Sequence, residues 1–246
     1  MKGDIAMVDV TRKYVIPGEL VSEGKYKNSL NVFRVEDKYY STRVGMAEIT
    51  PDSVRVIPLT GPYIPRVDDL VVGKIVDYSA FAWEVDINSC FYAYLPAQNV
   101  FGRDYSPARN ELTQKFAVGD LIAAKVMAFD RTRDPLLSLS GPGLGKIRQG
   151  EVVKISPTKV PRVIGKKGSM IRAVEMGTNC RLTVAQNGLI VISGPTEGII
   201  KAISALRLIE KEAHVADLTQ KVQTLLSVKV DEKSESESES DGEQEE

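Results

Sequence analysis

The sequence predicts a multidomain chain, mainly β and then α+β, ending in a disordered acidic tail. Three observations point there. Short apolar runs broken by Gly and Pro fill residues 1–141, as strands and tight turns do. From about residue 146 the pattern becomes β-α-α-β-β-α and closes on a long stretch with helical periodicity. Residues 231–246, DEKSESESESDGEQEE, hold no apolar side chain and bury too little surface to offset their ordering entropy.

Residues 1–65 form the first β-rich domain. Tyr14-Val15-Ile16 and Val54-Arg55-Val56-Ile57 read as strands, punctuated by Pro17-Gly18, Gly24, Gly45, Pro51 and Pro58, and Gly61–Pro65 reads as an extended linker. Residues 66–141 supply five further strands, at Leu70–Val76, Phe81–Ile87, Phe91–Leu95, Asp120–Phe129 and Leu136–Ser140. Five strands in so short a stretch suit a small closed barrel of the OB type. A polar insertion, Asn99–Lys115, separates the third strand from the fourth and holds Arg103 and Arg109. Gly141–Gly145 reads as a flexible joint. Beyond it, residues 146–230 give a strand at Glu151–Ser156, short helices at Val160–Ile164 and Ser169–Met176, and strands at Arg181–Ala185 and Leu189–Ser193. Asn187-Gly188 between those last strands is a strong hairpin-turn signal. A helix from Thr196 to about Ala213 follows, with Ile199, Ile200, Ile203, Leu206 and Ile209 at helical spacing, and Val215–Val230 continues or restarts it.

Composition bounds the chemistry. The chain has 246 residues with 43% hydrophobic and 26% charged content, ordinary for a globular protein. No run approaches the roughly 18–20 apolar residues of a membrane span, and the opening MKGDIAMVDVTRKY has no apolar signal-like stretch, so a cytoplasmic protein is expected. Cys90 and Cys180 lie far apart without a CxxC partner and read as small buried apolar residues. His214 is the only histidine, which leaves little material for metal or nucleophile chemistry, and neither a metal nor a cofactor is expected. The net charge of −1 hides an asymmetry: the tail carries nine acids and one base, while residues 1–230 carry 31 bases against 24 acids. A basic body points to a polyanionic partner.

One segment carries most of the functional information. In Val163-Ile164-Gly165-Lys166-Lys167-Gly168-Ser169-Met170-Ile171, two glycines flank two lysines between two short helices. Glycine lets backbone approach a phosphodiester chain without Cβ obstruction, and the next helix offers its N-terminal N–H groups to an anion. The segment resembles the GXXG loop of a KH domain, here of type I, and the resemblance implies a clamp on about four nucleotides of single-stranded RNA. Gly165, Lys166, Lys167, Gly168, Ser169 and Arg172 are therefore candidate RNA contacts. Twelve Lys or Arg between Lys146 and Lys211 outnumber the acids there. No GxxxxGK[ST] loop occurs, and GxGxxG fails at Gly143-Leu144-Gly145 because Arg148 stands in its last position, which argues against a nucleotide-using enzyme.

The barrel resembles the S1-type OB domain through Gly73-Lys74-Ile75, Phe81, the Gly119-Asp120 step and Leu137-Ser138-Leu139-Ser140. The resemblance implies single-strand binding by aromatic stacking beside a basic groove, with Phe81 where the family has a stacking aromatic; Lys74 and the basic side chains Arg103, Arg109 and Arg131 are the other candidate contacts of the barrel. The chain departs from that pattern at Glu84, where a second aromatic is usual, and at Pro96, where a histidine is usual. Val15-Ile16-Pro17-Gly18-Glu19 in an N-terminal β unit, then the S1-type barrel, then KH, resembles one family over residues 10–213: the cap subunit of the archaeal exosome, ribosomal-RNA-processing protein 4. The resemblance implies a non-catalytic subunit. Three copies would sit on a hexameric ring of phosphorolytic exosome subunits and guide single-stranded RNA into that 3'-5' nuclease for degradation and processing. The alternative reading is a free-standing translation or ribosome-associated RNA-binding factor.

Overall fold

The computed structural model describes residues 11–102, 105–107, 112–130, 132–213 and 218–226; Arg103, Arg109, Arg131, His214 and the acidic tail lie outside them. The chain divides into two compact units between Pro62 and Tyr63.

The described residues of the first unit form seven strands: β1 (Thr11–Val15), β2 (Leu20–Glu23), β3 (Asn28–Leu30), β4 (Val32–Val35), β5 (Lys38–Ser41), β6 (Gly45–Ile49) and β7 (Ser53–Pro58). They form two sheets, in the orders β1-β6-β7-β3 and β2-β5-β4. Alternation sends Val15, Ala47, Val54 and Val56 into a small core with Val21 and Tyr39. Gly18 takes a positive φ of 84° in the Pro17-Gly18-Glu19 turn, whose Glu19 carboxylate accepts the Ile16 N–H at 3.1 Å. Arg12, Glu48 and Arg55 lie in register across β1, β6 and β7. Glu48 is 5% exposed, and Arg12 and Arg55 meet its two carboxylate oxygens at 2.9 and 2.6 Å. Burial works against its ionisation, but hydrogen bonds and charge from Arg55, then Arg12, outweigh it, so the carboxyl sits below its ordinary range.

The second unit opens with a five-stranded barrel of β8 (Leu70–Tyr78), β9 (Ala82–Asp86), β10 (Tyr92–Pro96), β11 (Leu121–Ala128) and β12 (Leu136–Ser138). Strand β12 closes it by pairing parallel with β10 and antiparallel with β11. Its core holds Val71, Ile75, Trp83, Val85, Leu95, Ile122, Val126 and Leu137. The insertion after β10 is less polar than it reads. After the short helix α1 (Gln98–Phe101), Leu112 and Phe116 are buried against the barrel, and Trp83 Nε1 donates to the Phe116 carbonyl at 3.1 Å. Tyr63, read from sequence as linker, is also part of the barrel core, with its hydroxyl on Asp69 at 2.6 Å.

Strand β13 (Gly145–Lys146) follows, then β14 (Glu151–Lys154), α2 (Val160–Ile164), α3 (Ser169–Thr178), β15 (Arg181–Val184), β16 (Leu189–Ser193), α4 (Thr196–Lys211) and α5 (Leu218–Leu226). The sheet runs β14-β16-β15, and the helices cover it through Val163, Met170, Val174, Leu206 and Ile209. Helix α5 is separate from α4 and adds Leu218, Val222 and Leu226 to that core. Ile200, counted from spacing as part of the apolar stripe, is exposed, and Ala202 and Ala205 fill the buried positions instead. Cys180 is buried as expected, but Cys90 is exposed. The Gly141–Gly145 segment is not a free joint. Strand β13 pairs with β11, and Leu144 and Ile147 pack on a second cluster made by Val72 and Ala123 of the barrel with Ala185 and Val191.

Candidate nucleic-acid interface

The GXXG loop adopts a conformation its glycines make possible. Gly165 has φ 73°, ψ 176° and Gly168 has φ 79°, ψ 14°, both in regions an L side chain rarely enters. A Cβ on Gly165 would also come within 2.7 Å of Met170 Cβ, whereas one on Gly168 would make only ordinary contacts, with Ile171 at 3.7 Å and Arg172 at 3.9 Å. Lys167 itself sits left-handed at φ 51°. The loop thus turns sharply into α3 and leaves Lys166, Lys167 and Ser169 exposed at the start of that helix. Three elements that bind a phosphate are together here: unencumbered backbone, the positive end of a ten-residue helix, and two lysines.

Arg172 plays a different part from the one its charge suggests. Its Nη2 donates to the Lys167 carbonyl at 2.6 Å and its Nε to the Gly168 carbonyl at 3.3 Å. It braces the loop from one helical turn away, holding the two lysines outward. Beyond it on α3, Glu175 accepts the Leu182 N–H at 2.7 Å and so caps the outer edge of β15, which sequence reasoning did not single out.

The barrel candidates are more dispersed. Phe81 is 65% exposed at the β8–β9 turn, and Lys74 is exposed on β8. Lys74 pairs in register with Asp86, five residues along from Phe81, so the two stand roughly 16 Å apart at about 3.3 Å per residue. They do not form one cluster. Tyr78 and Tyr92 also face outward, while Trp83 is fully buried between Phe101 and Phe116. Glu84 lies across from Tyr94, and Asp86 across from Tyr92, placing two carboxylates among the outward aromatics. Those carboxylates weaken the pull of this face on a phosphate, so Lys74, opposite Asp86, has less positive field around it than the paired lysines of the KH loop. Arg103, Arg109 and Arg131 fall outside the described residues. Among the described residues, no group of three or more His, Cys, Asp or Glu is placed to hold a metal, and no helix is long and apolar enough to cross a membrane.

Comparisons with known proteins match two segments of the chain and then most of its length. The sequence model of the Exosome RNA binding protein RRP4 N-terminal domain matches residues 12–60, and that of the KH domain matches residues 150–208. The chain is similar to Exosome complex component Rrp4 of Nitrosopumilus maritimus, at 51% identity over 89% of this chain and 97% of the relative. The protein of the same name from Thermofilum pendens is 43% identical over 92% and 98%. A crystal structure provisionally described as an exosome complex RNA-binding protein superposes with a TM-score of 0.64 at 42% identity, covering 68% of this chain and 96% of that one. The chain belongs to the Rrp4 family of exosome complex components.

Proposed function

We propose that this chain is the non-catalytic RNA-binding cap of a cytoplasmic exosome, guiding single-stranded RNA into a hexameric phosphorolytic ring on which three copies sit. The observation that carries the RNA-binding part is the Gly165–Gly168 loop, with its two exposed lysines at the start of α3 and its carbonyls held by Arg172. Its relatives are named as components of the exosome complex, which supports a multisubunit setting. The ring contact falls to the first unit. Among its described residues that unit has no comparable pair of lysines at a helix start, and it shows apolar side chains to solvent, among them Tyr14, Ile16, Phe33 and Val35. Such a surface is the usual mark of a protein partner. Deleting residues 1–62 tests this assignment. The remainder should stay folded and keep its RNA affinity while losing co-elution with the ring. Undiminished co-elution would move the contact elsewhere. The deletion must stop at Pro62, because removing Tyr63 would open the barrel core.

A further inference from the structure

Asn187, in the Asn-Gly hairpin turn that the sequence marks, is fully buried. Its side-chain amide reaches out of the KH sheet into the barrel. Nδ2 donates to the carbonyls of Val72 at 2.6 Å and Ile87 at 2.8 Å, and Oδ1 accepts the Val72 N–H at 3.4 Å. The pairing of β8 with β9 begins only at Lys74 opposite Asp86, so Val72 has no β9 partner. A side-chain amide offers the same donor and acceptor as a peptide group, and Asn187 fills the gap where β9 leaves β8. The surrounding contacts converge on the same seam. Asn88 donates to the Asn187 carbonyl at 3.0 Å, and the Gln186 N–H donates to the Leu70 carbonyl at 2.9 Å. Val72, Ala123, Ala185 and Val191 pack beside them. Gly188 lets the turn close, since a Cβ there would meet the Ile155 carbonyl oxygen at 2.4 Å.

Lys74 stands two residues beyond Val72 on β8, about 7 Å along the strand from the carbonyl that Asn187 holds. We propose that Asn187 is a positioning residue that fixes the KH domain on the barrel beside Lys74, so that both domains engage one RNA strand as a single rigid surface. The coupling rests on the RNA-binding reading above; the lock itself does not. Rigid linkage converts the second contact into an intramolecular one and raises affinity only for strands long enough to make both.

The test uses the full chain with RNA of about four nucleotides, enough for the loop alone, and of about twenty, enough for loop and barrel. Asn187→Asp keeps the shape but loses both donors, and Asn187→Ala removes the amide without adding a charge near Lys74. Both variants should bind the long strand about tenfold or more weakly, leave short-strand affinity unchanged, and speed hydrogen exchange at the Val72 amide. Equal weakening of both lengths, no weakening of either, or a loss confined to Asn187→Asp would overturn the coupling. Wild-type protein that binds neither strand would remove the coupling along with the RNA-binding reading. Unchanged Val72 exchange in both variants would overturn the lock on its own.

Discussion

Replacing Lys166 and Lys167 together by Asp probes the GXXG loop at its most exposed point. The structure makes it a clean perturbation. Both side chains lie in water, and the Arg172 brace holds the Lys167 carbonyl rather than its side chain, so the loop keeps its support. Lys167 is left-handed, a conformation Asp tolerates better than most residues, so the change adds no backbone strain. Stability should therefore move by no more than about 0.5 kcal/mol per site. RNA affinity should fall clearly. If each lysine neutralises one phosphate, the dependence of log K on log salt should lose about 0.7 per contact, or about 1.4 for the pair. Titrating single-stranded RNA at several salt concentrations, beside a thermal melt, reads both quantities. Unchanged affinity and slope in a folded variant would reduce the loop to a structural turn. A large drop in melting temperature would instead refute the claim that the lysines do no packing work.

The two loop glycines should differ. Gly165→Ala meets both a forbidden φ and the Met170 Cβ and should cost about 2–3 kcal/mol, whereas Gly168→Ala meets strain alone and should cost about 1–2, an order that paired denaturant melts will check. In the first unit, Glu48→Gln should cost about 1–3 kcal/mol, since two arginines lose a buried charged partner. Because the Glu48 pKa is lowered on folding, its contribution is present above the ordinary carboxylate range and is lost as pH falls through the lowered value. Melting residues 11–62 across acidic pH should show that loss in the wild type and not in the variant.

Much of the fold is legible in the residue pattern because alternation and helical spacing are local signals. Trp83-Glu84-Val85-Asp86-Ile87 announces a barrel strand with its inward side chains already marked, and the GXXG loop is visible from two glycines and their flanking isoleucines. What stays hidden depends on partners distant in sequence. Nothing local says that Tyr63 belongs to the barrel or that Leu112 and Phe116 close it. Asn187 is the sharpest case: a solvent turn and an interdomain plug share the same dipeptide, and only the Val72 gap tells them apart. Arg172 was within reach, since four residues from Gly168 is one helical turn, close enough for a guanidinium to hold the preceding carbonyls. Arg103, Arg109 and Arg131 lie outside the described residues.

The most direct measurement compares the RNA affinity of the phosphorolytic ring alone with that of the ring carrying this chain. The full chain should co-elute with the ring and tighten its binding of single-stranded RNA, and the Lys166→Asp, Lys167→Asp variant should co-elute equally while tightening it less. A chain that fails to co-elute, or that co-elutes without changing the ring's RNA affinity, would contradict its assignment as an RNA-binding cap.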